Sequence, residues 1–211
     1  MHRAGEKLRL DRSKTGALAM LIWINGAHGA GKTKVARRLA ALRGGAFLID
    51  PEQIGFMLRR IWPGGAPPDF KDLPAWRELT VAALRAAAAE HPAAILVVPM
   101  TLADPLYHAE IVGGLRAAGV DLRHFTLVAS PATLRRRIRR RLDWPSSRRW
   151  ALSRVESCSA ALEDPAFAEH IATDRLNVAE VAAEIVTRVE TAASGPRSEA
   201  AASAGTPPRH C

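Results

Sequence analysis

The chain has 211 residues, enough for one domain with a sizeable core and short for two. Hydrophobic residues make up 48% and charged residues 24%, which excludes a disordered polyelectrolyte, and two cysteines exclude a disulfide-stapled scaffold. A net charge of +9 suits a nucleic acid, an anionic membrane surface or a phosphate-rich ligand, yet only five of the 30 basic residues are lysines, so the charge also reflects a general bias towards Arg, Ala and Pro.

Residues 1–19 open polar and basic without periodicity and are expected to be a disordered extension, with Met20 as an alternative start just before the first strand. The apolar run Ala17–Ile24 resembles a signal-peptide core, but it falls short of the roughly 20 residues that cross a bilayer. The residues after it require it as a strand, Leu21–Asn25.

Gly26-Ala27-His28-Gly29-Ala30-Gly31-Lys32-Thr33 follows, a complete G-x-x-x-x-G-K-[ST] phosphate loop between that strand and an amphipathic helix starting at Lys32. Its glycines take backbone angles that side chains would block, so the N–H groups can turn inward around phosphates at a helix N-terminus. Lys32 is expected to reach the β and γ phosphates, and Thr33 to place its hydroxyl on Mg²⁺. Ala27, Ala30 and His28 fill the variable positions, with the His28 side chain expected to face solvent. The cofactor pair implied is ATP with Mg²⁺.

A second strand, Ala46–Ile49, ends in Asp50, which is expected to take a proton from a substrate hydroxyl or to hold Mg²⁺ through water. Asp50-Pro51 also reads as a cap and first residue of a helix starting near Glu52. A further helix starts near Pro74. The third strand, Ala94–Pro99, carries the continuous apolar run of a strand buried on both faces. It ends in Met100-Thr101 without the acidic residue that many phosphate-loop enzymes offer to magnesium.

Helices are predicted near Pro105, Pro131, Arg149 and Val178, with strands at Leu122–Val128 and near Ile171. Ser130-Pro131 and Asp104-Pro105 are helix starts, and Asn177-Val178-Ala179-Glu180 is a capping box. The Arg135–Arg141 run places Arg137 and Arg141 on one helical face, entering a mobile lid over 142–149. Such arginines would neutralise a phosphoryl group in flight. No aromatic interleaves with this run, so a nucleic-acid partner is not expected. Residues 194–211 are Pro-, Ser-, Ala- and Gly-rich and are expected to be a disordered tail.

The alternation predicts an α/β fold of the phosphate-loop NTPase class, nucleoside-monophosphate-kinase type: one domain over residues 20–193, a five-stranded parallel sheet with helices on both faces and an Arg-rich lid. Ligands in such a fold bind at the carboxyl ends of the strands. Phe56, Trp76, Arg77, Met100, Thr101 and Glu52 are the candidate acceptor-site residues.

Several segments together resemble the TmrB-type tunicamycin-resistance proteins. They are Trp23-Ile24-Asn25-Gly26-Ala27, Gly29 to Thr33, Asp50-Pro51-Glu52 with Gly55-Phe56, Val98-Pro99-Met100-Thr101 and His124-Phe125-Thr126-Leu127. Trp150 with Cys158, and His170-Ile171 with Thr173-Asp174, extend the resemblance over roughly residues 20–190. It implies an ATP-binding protein that phosphorylates a hydroxyl of a nucleoside antibiotic such as tunicamycin, with drug sequestration without transfer as the alternative. The expected setting is a reducing cytoplasm, with the basic ends available for peripheral contact with an anionic membrane, as monomer or dimer.

Overall fold

The computed structural model describes residues 19–42, 46–142, 144–167 and 169–194. The expected extension over 1–19 and tail over 194–211 lie, except for their innermost residues, outside the described residues. Those two residues join the fold: Ala19 is buried and donates its N–H to Ala88 O at 3.3 Å, and the last helix runs to Ser194.

Strand β1 (Met20–Gly26) leads into α1 (Lys32–Leu42), then β2 (Ala46–Leu48), α2 (Glu52–Ile61) and α3 (Pro74–Glu90). After β3 (Ile95–Pro99) come α4 (Pro105–His108), a π-helical turn (Ala109–Gly113) and α5 (Gly114–Ala117), which abut in sequence. β4 (Asp121–Val128) is followed by α6 (Pro131–Arg139), α7 (Pro145–Ser153), α8 (Val155–Leu162), β5 (His170–Ala172) and α9 (Val178–Ser194).

All pairings are parallel and the strand order is β2-β3-β1-β4-β5. Strand β1 therefore lies at the centre, with Trp23 opposite Val98 on one side and His124 on the other. The chain leaves β1 towards β2 and β3 on one side and reaches β4 and β5 on the other. The crevice at its carboxyl end is the topological switch point where such sheets bind ligands.

Period-two alternation divides the core into two layers. Met20, Ile22 and Ile24 face a cluster with Val35 and Leu39 of α1, Phe125, Leu127 and Ile185. Leu21 and Trp23 face a second cluster with Leu58, Trp76, Leu84, Val98 and Met100. Both faces of β1 are therefore buried, as its uninterrupted apolar sequence requires.

The predicted caps form with one shift. Asp104 accepts from Leu106 N–H at 2.8 Å, Ser130 Oγ accepts from Thr133 N–H at 3.3 Å, and Asn177 with Glu180 closes a reciprocal capping box. At α2, Pro51 itself occupies the cap position, while Asp50 Oδ1 accepts from Glu52 N–H at 3.0 Å.

The lid departs from expectation. Residues 145–149 are helical from Pro145 rather than a loose segment, and α7 gives way to α8 at Arg154. Helix α6 stops at Arg139 with Arg140 as its cap, so Arg137 and Arg141 do not share a helical face. Among the described residues no helix is long and apolar enough to cross a membrane.

Candidate nucleotide and acceptor site

The phosphate loop is held by hydrogen bonds buried beneath it. Asn25 is fully buried; its amide donates to Leu102 O at 2.8 Å, and its Oδ1 accepts from Leu102 N–H at 2.9 Å and Gly26 N–H at 2.8 Å. Thr101 Oγ1 donates to Gly26 O at 2.8 Å, and Trp23 Nε1 donates to Met100 O at 3.2 Å. The exit of β3 is thereby tied to the start of the loop. Gly26 adopts φ 142°, and a Cβ there would stand 2.7 Å from Leu127 O, so a side chain is excluded both by conformation and by contact.

Lys32 Nζ donates to Gly26 O at 2.8 Å and to Ala27 O at 3.2 Å, which places the ammonium over the loop. Burial lowers its pKa to about 8, and the nearby charges of Arg141 and Lys71 act in the same direction. The site thus holds a poorly solvated cation, well matched to a phosphate. His28 is not the solvent-facing spacer expected. Its ring packs edge-on against Trp150 of α7 with centroids 4.8 Å apart, and burial, then the charge of Lys32, lowers its pKa to about 3, so the ring is neutral at physiological pH.

Asp50 and Glu52 stand at the carboxyl end of β2, both half-buried. Burial and then the charge of Asp50 raise the Glu52 pKa, opposed by Lys32, Lys71 and Arg141. The charges that bear on Glu52 are thus those of Asp50, Lys32, Lys71 and Arg141. Trp76 is fully buried, and its Nε1 donates to Pro51 O at 3.0 Å. It therefore fixes Asp50-Pro51-Glu52 from below rather than meeting a ligand.

Three other expected acceptor residues are also turned inward. Met100 is buried in the core, and the Thr101 hydroxyl is committed to the phosphate loop. Arg77 is buried, ion-paired with Glu110 and donating from Nη1 to Lys71 O at 2.6 Å, so it has no free face for a phosphate or a carbonyl. Phe56 alone of the apolar set remains exposed, with its ring edge-on to Phe70 at 6.1 Å.

The arginines divide. Arg137 donates to Thr173 Oγ1 at 3.1 Å and to Thr173 O at 2.6 Å, bracing α6 against the exit of β5. Asp174 completes that brace by accepting from Ser130 N–H at 3.0 Å and Ser130 Oγ at 2.7 Å. Arg135 pairs with Glu156 of α8. The charge of Arg141, beyond the end of α6, is the one that acts on Lys32, Glu52 and His28.

The sequence reading missed Asn25 as the loop's anchor and the Asp69–Lys71 pair, whose side chains stand 2.8 Å apart. Both left a signal: Asn25 is a polar residue ending an apolar strand, and Lys71 is one of five lysines in an arginine-biased chain. Among the described residues no group of three or more His, Cys, Asp and Glu side chains could hold a metal. The hydroxyl of Thr33 and the carboxylate of Asp50 still fit Mg²⁺, a hard ion that takes a few protein oxygens and completes its shell with water and phosphate.

The sheet order, the loop at the switch point and the helical lid define an α/β phosphate-loop NTPase of kinase-like architecture. A family model described as an AAA domain matches residues 21–165. The solved structure of the Deinococcus radiodurans tunicamycin resistance protein is 32% identical, with TM-score 0.69, over 81% of this chain and 95% of that one. The chain belongs to this tunicamycin-resistance family of phosphate-loop proteins. Two more distant structures share the fold: the Acinetobacter baumannii shikimate kinase in complex with shikimate (19% identity, TM-score 0.55, covering 84% of this chain and 96% of that one) and a Sinorhizobium meliloti gluconokinase (20%, 0.53, 85% and 99%). No protein of curated function shows significant sequence similarity to the chain.

Proposed function

We propose that the protein transfers the γ-phosphoryl group of ATP to a hydroxyl of a nucleoside antibiotic of the tunicamycin type. The observation that carries this reading is the complete phosphate loop at the switch point, with Lys32 Nζ 2.8 Å from Gly26 O, and Asp50 with Glu52 at the carboxyl end of β2 on the same side of the sheet. The similarity to a tunicamycin resistance protein supplies the acceptor class.

In this reading the loop N–H groups and Lys32 bind the phosphates, while Thr33, with Asp50 through water, would hold Mg²⁺, which when bound neutralises charge on the β and γ oxygens. Asp50 accepts the proton of the acceptor hydroxyl. Glu52, one residue past Pro51, stands beside that base at the start of α2. Arg141 neutralises charge on the transferred group, and Arg137 holds the wall between α6 and β5.

The test is incubation of the protein with ATP, Mg²⁺ and tunicamycin, followed by mass spectrometry of the drug. A mass gain of one phosphate, abolished by Asp50→Asn, is expected. Tight drug binding with no mass gain would overturn transfer and leave sequestration.

A further inference from the structure

Nine arginines and one aspartate stand between Pro131 and Arg154, so this stretch holds +8 of the chain's net +9. That leaves 21 basic and 20 acidic residues for the rest of the chain, in near balance. A general bias towards arginine would not gather the unbalanced charge on α6, α7 and the turn between them. Three of the nine have tasks within the fold. Arg135 pairs with Glu156, Arg137 braces Thr173, and Arg154 lies over the Trp150 ring, 5.2 Å from its centre. Arg139, Arg140 and Arg149 are exposed and form no ion pair among the described residues.

The turn between the two helices is also apolar. Leu142 is fully exposed and Trp144 is 81% exposed. One surface leucine needs no explanation, but two large apolar side chains held in water at one turn do. Local structure accounts for neither. Leu142 follows the end of α6, where Arg140 is the cap. Trp144 holds the cap position of α7 ahead of Pro145, where Ser, Thr, Asp or Asn would satisfy a free N–H, and its side chain caps nothing.

Unbalanced positive charge and an apolar tip together fit one kind of surface. At an anionic bilayer, guanidinium groups meet the headgroup phosphates while tryptophan and leucine enter the interface beside them. The aliphatic stems of the arginines lie along the same boundary. A single-stranded nucleic acid could take the arginines and stack a base on Trp144, but it offers nothing to Leu142. No helix of the described residues is long and apolar enough to cross a membrane, so the contact is peripheral.

We propose that the turn between α6 and α7 docks the protein on an anionic lipid surface, with Leu142 and Trp144 entering the headgroup region and Arg139, Arg140 and Arg149 pairing with lipid phosphates. Trp150 of α7 packs against His28 of the phosphate loop, so the docked segment also touches the nucleotide site. The docking does not depend on phosphoryl transfer and holds whether the drug is modified or only bound.

The experiment is sedimentation of the full chain with vesicles. Binding is expected to vesicles of phosphatidylglycerol and phosphatidylcholine in about equal parts, and not to phosphatidylcholine alone. Replacing Arg139, Arg140 and Arg149 together by glutamine should weaken it on the order of a hundredfold, about fivefold for each charge near such a surface. Leu142→Ser with Trp144→Ser should weaken it about tenfold with the charge intact. Tryptophan emission should shift to the blue on vesicle binding, and Trp144→Phe should remove most of that shift. All five side chains are exposed, so thermal melts and ATP affinity should not change. Binding that survives both sets of substitutions would assign the contact to another part of the chain and overturn the proposal. So would a loss confined to the arginine variant with no emission shift, which describes a simple polyanion site, or tighter binding to a single-stranded oligonucleotide than to the vesicles. A blue shift with ATP and tunicamycin but no vesicle binding would place the tip over the cleft instead, and would overturn it too.

Discussion

The two walls of the cleft are built by opposite means. The donor wall is backbone held by buried hydrogen bonds: Asn25 and Thr101 lock the exits of β1 and β3 together, and the phosphate loop hangs from that joint. The wall proposed to take the acceptor is side chain on side chain, with Phe70 packed on Trp76 and Trp76 holding the bend of Asp50 and Glu52. Beyond both, the lid carries Leu142 and Trp144 almost wholly exposed. A phosphate has one shape, so its cradle can be rigid and made of N–H groups. An acceptor is particular to each enzyme, and side chains change more readily than a backbone turn.

Substitutions that touch one wall should therefore leave the other intact. The largest effect is expected for Lys32→Ala. Removing the charged donor over the loop should weaken ATP binding about a hundredfold, corresponding to ~3 kcal/mol for lost charge-assisted hydrogen bonds. Calorimetric titration would measure it, and binding of the drug without nucleotide should be unchanged. A loss of both would mean that the walls are not independent.

Next in size is Asn25→Ala. It strands the N–H groups of Gly26 and Leu102 and the carbonyl of Leu102 in the core. Unsatisfied buried groups of this kind cost about 1–3 kcal/mol each. We expect roughly 3 kcal/mol in all, read as a Tm lower by about 6–12 °C in a domain of this size. Nucleotide affinity should fall with it, because the residue holds the loop and nothing of the acceptor wall.

The donor wall was legible in the sequence because its chemistry is local. Eight consecutive residues state the turn, the donors and the cation, and strands buried on both faces announce themselves as apolar runs such as Ile95–Val98. Strand positions, the helix starts at Lys32, Pro74 and Pro131 and the capping box at Asn177 follow from such local rules. The acceptor wall is assembled from residues far apart in sequence, and side-chain type alone does not say which way a residue points. Trp76, Arg77 and Met100 look like ligand contacts and are buried supports, and Lys71, unremarked in the sequence, is mostly buried and paired with Asp69. Arg137 and Arg141 were paired by helical spacing, but α6 ends between them.

A smaller effect separates the walls by pH. Burial holds the Lys32 pKa at about 8, below its ordinary value, and a bound phosphate would raise it again. Below pH 8 the ammonium is present and ATP affinity should be flat. Above it, binding must first recapture a proton, so affinity should fall by up to tenfold per pH unit until the pKa of the bound state is reached. Titrations at pH 8.5 to 9 in buffers of different ionisation enthalpy should register proton uptake, and Lys32→Arg, which cannot deprotonate in this range, should show none.

The smallest expected effect is on the acceptor wall and sharpens the comparison most. Trp76→Phe keeps an aromatic ring against Phe70 but removes the N–H that holds Pro51 O. A single buried hydrogen bond of this kind contributes about 1 kcal/mol, and its loss leaves the Pro51 carbonyl unpaired. That carbonyl belongs to the bend presenting Asp50 and Glu52, so the loss should appear there as a looser acceptor geometry. We expect about a fivefold loss in kcat/KM for the acceptor, with the affinity for ATP unchanged, because the Trp76 hydrogen bond goes to Pro51 and its ring packs on Phe70. An equal fall in ATP affinity would show instead that the aromatic block carries the donor wall too, through Trp23 and Met100, which share its core layer.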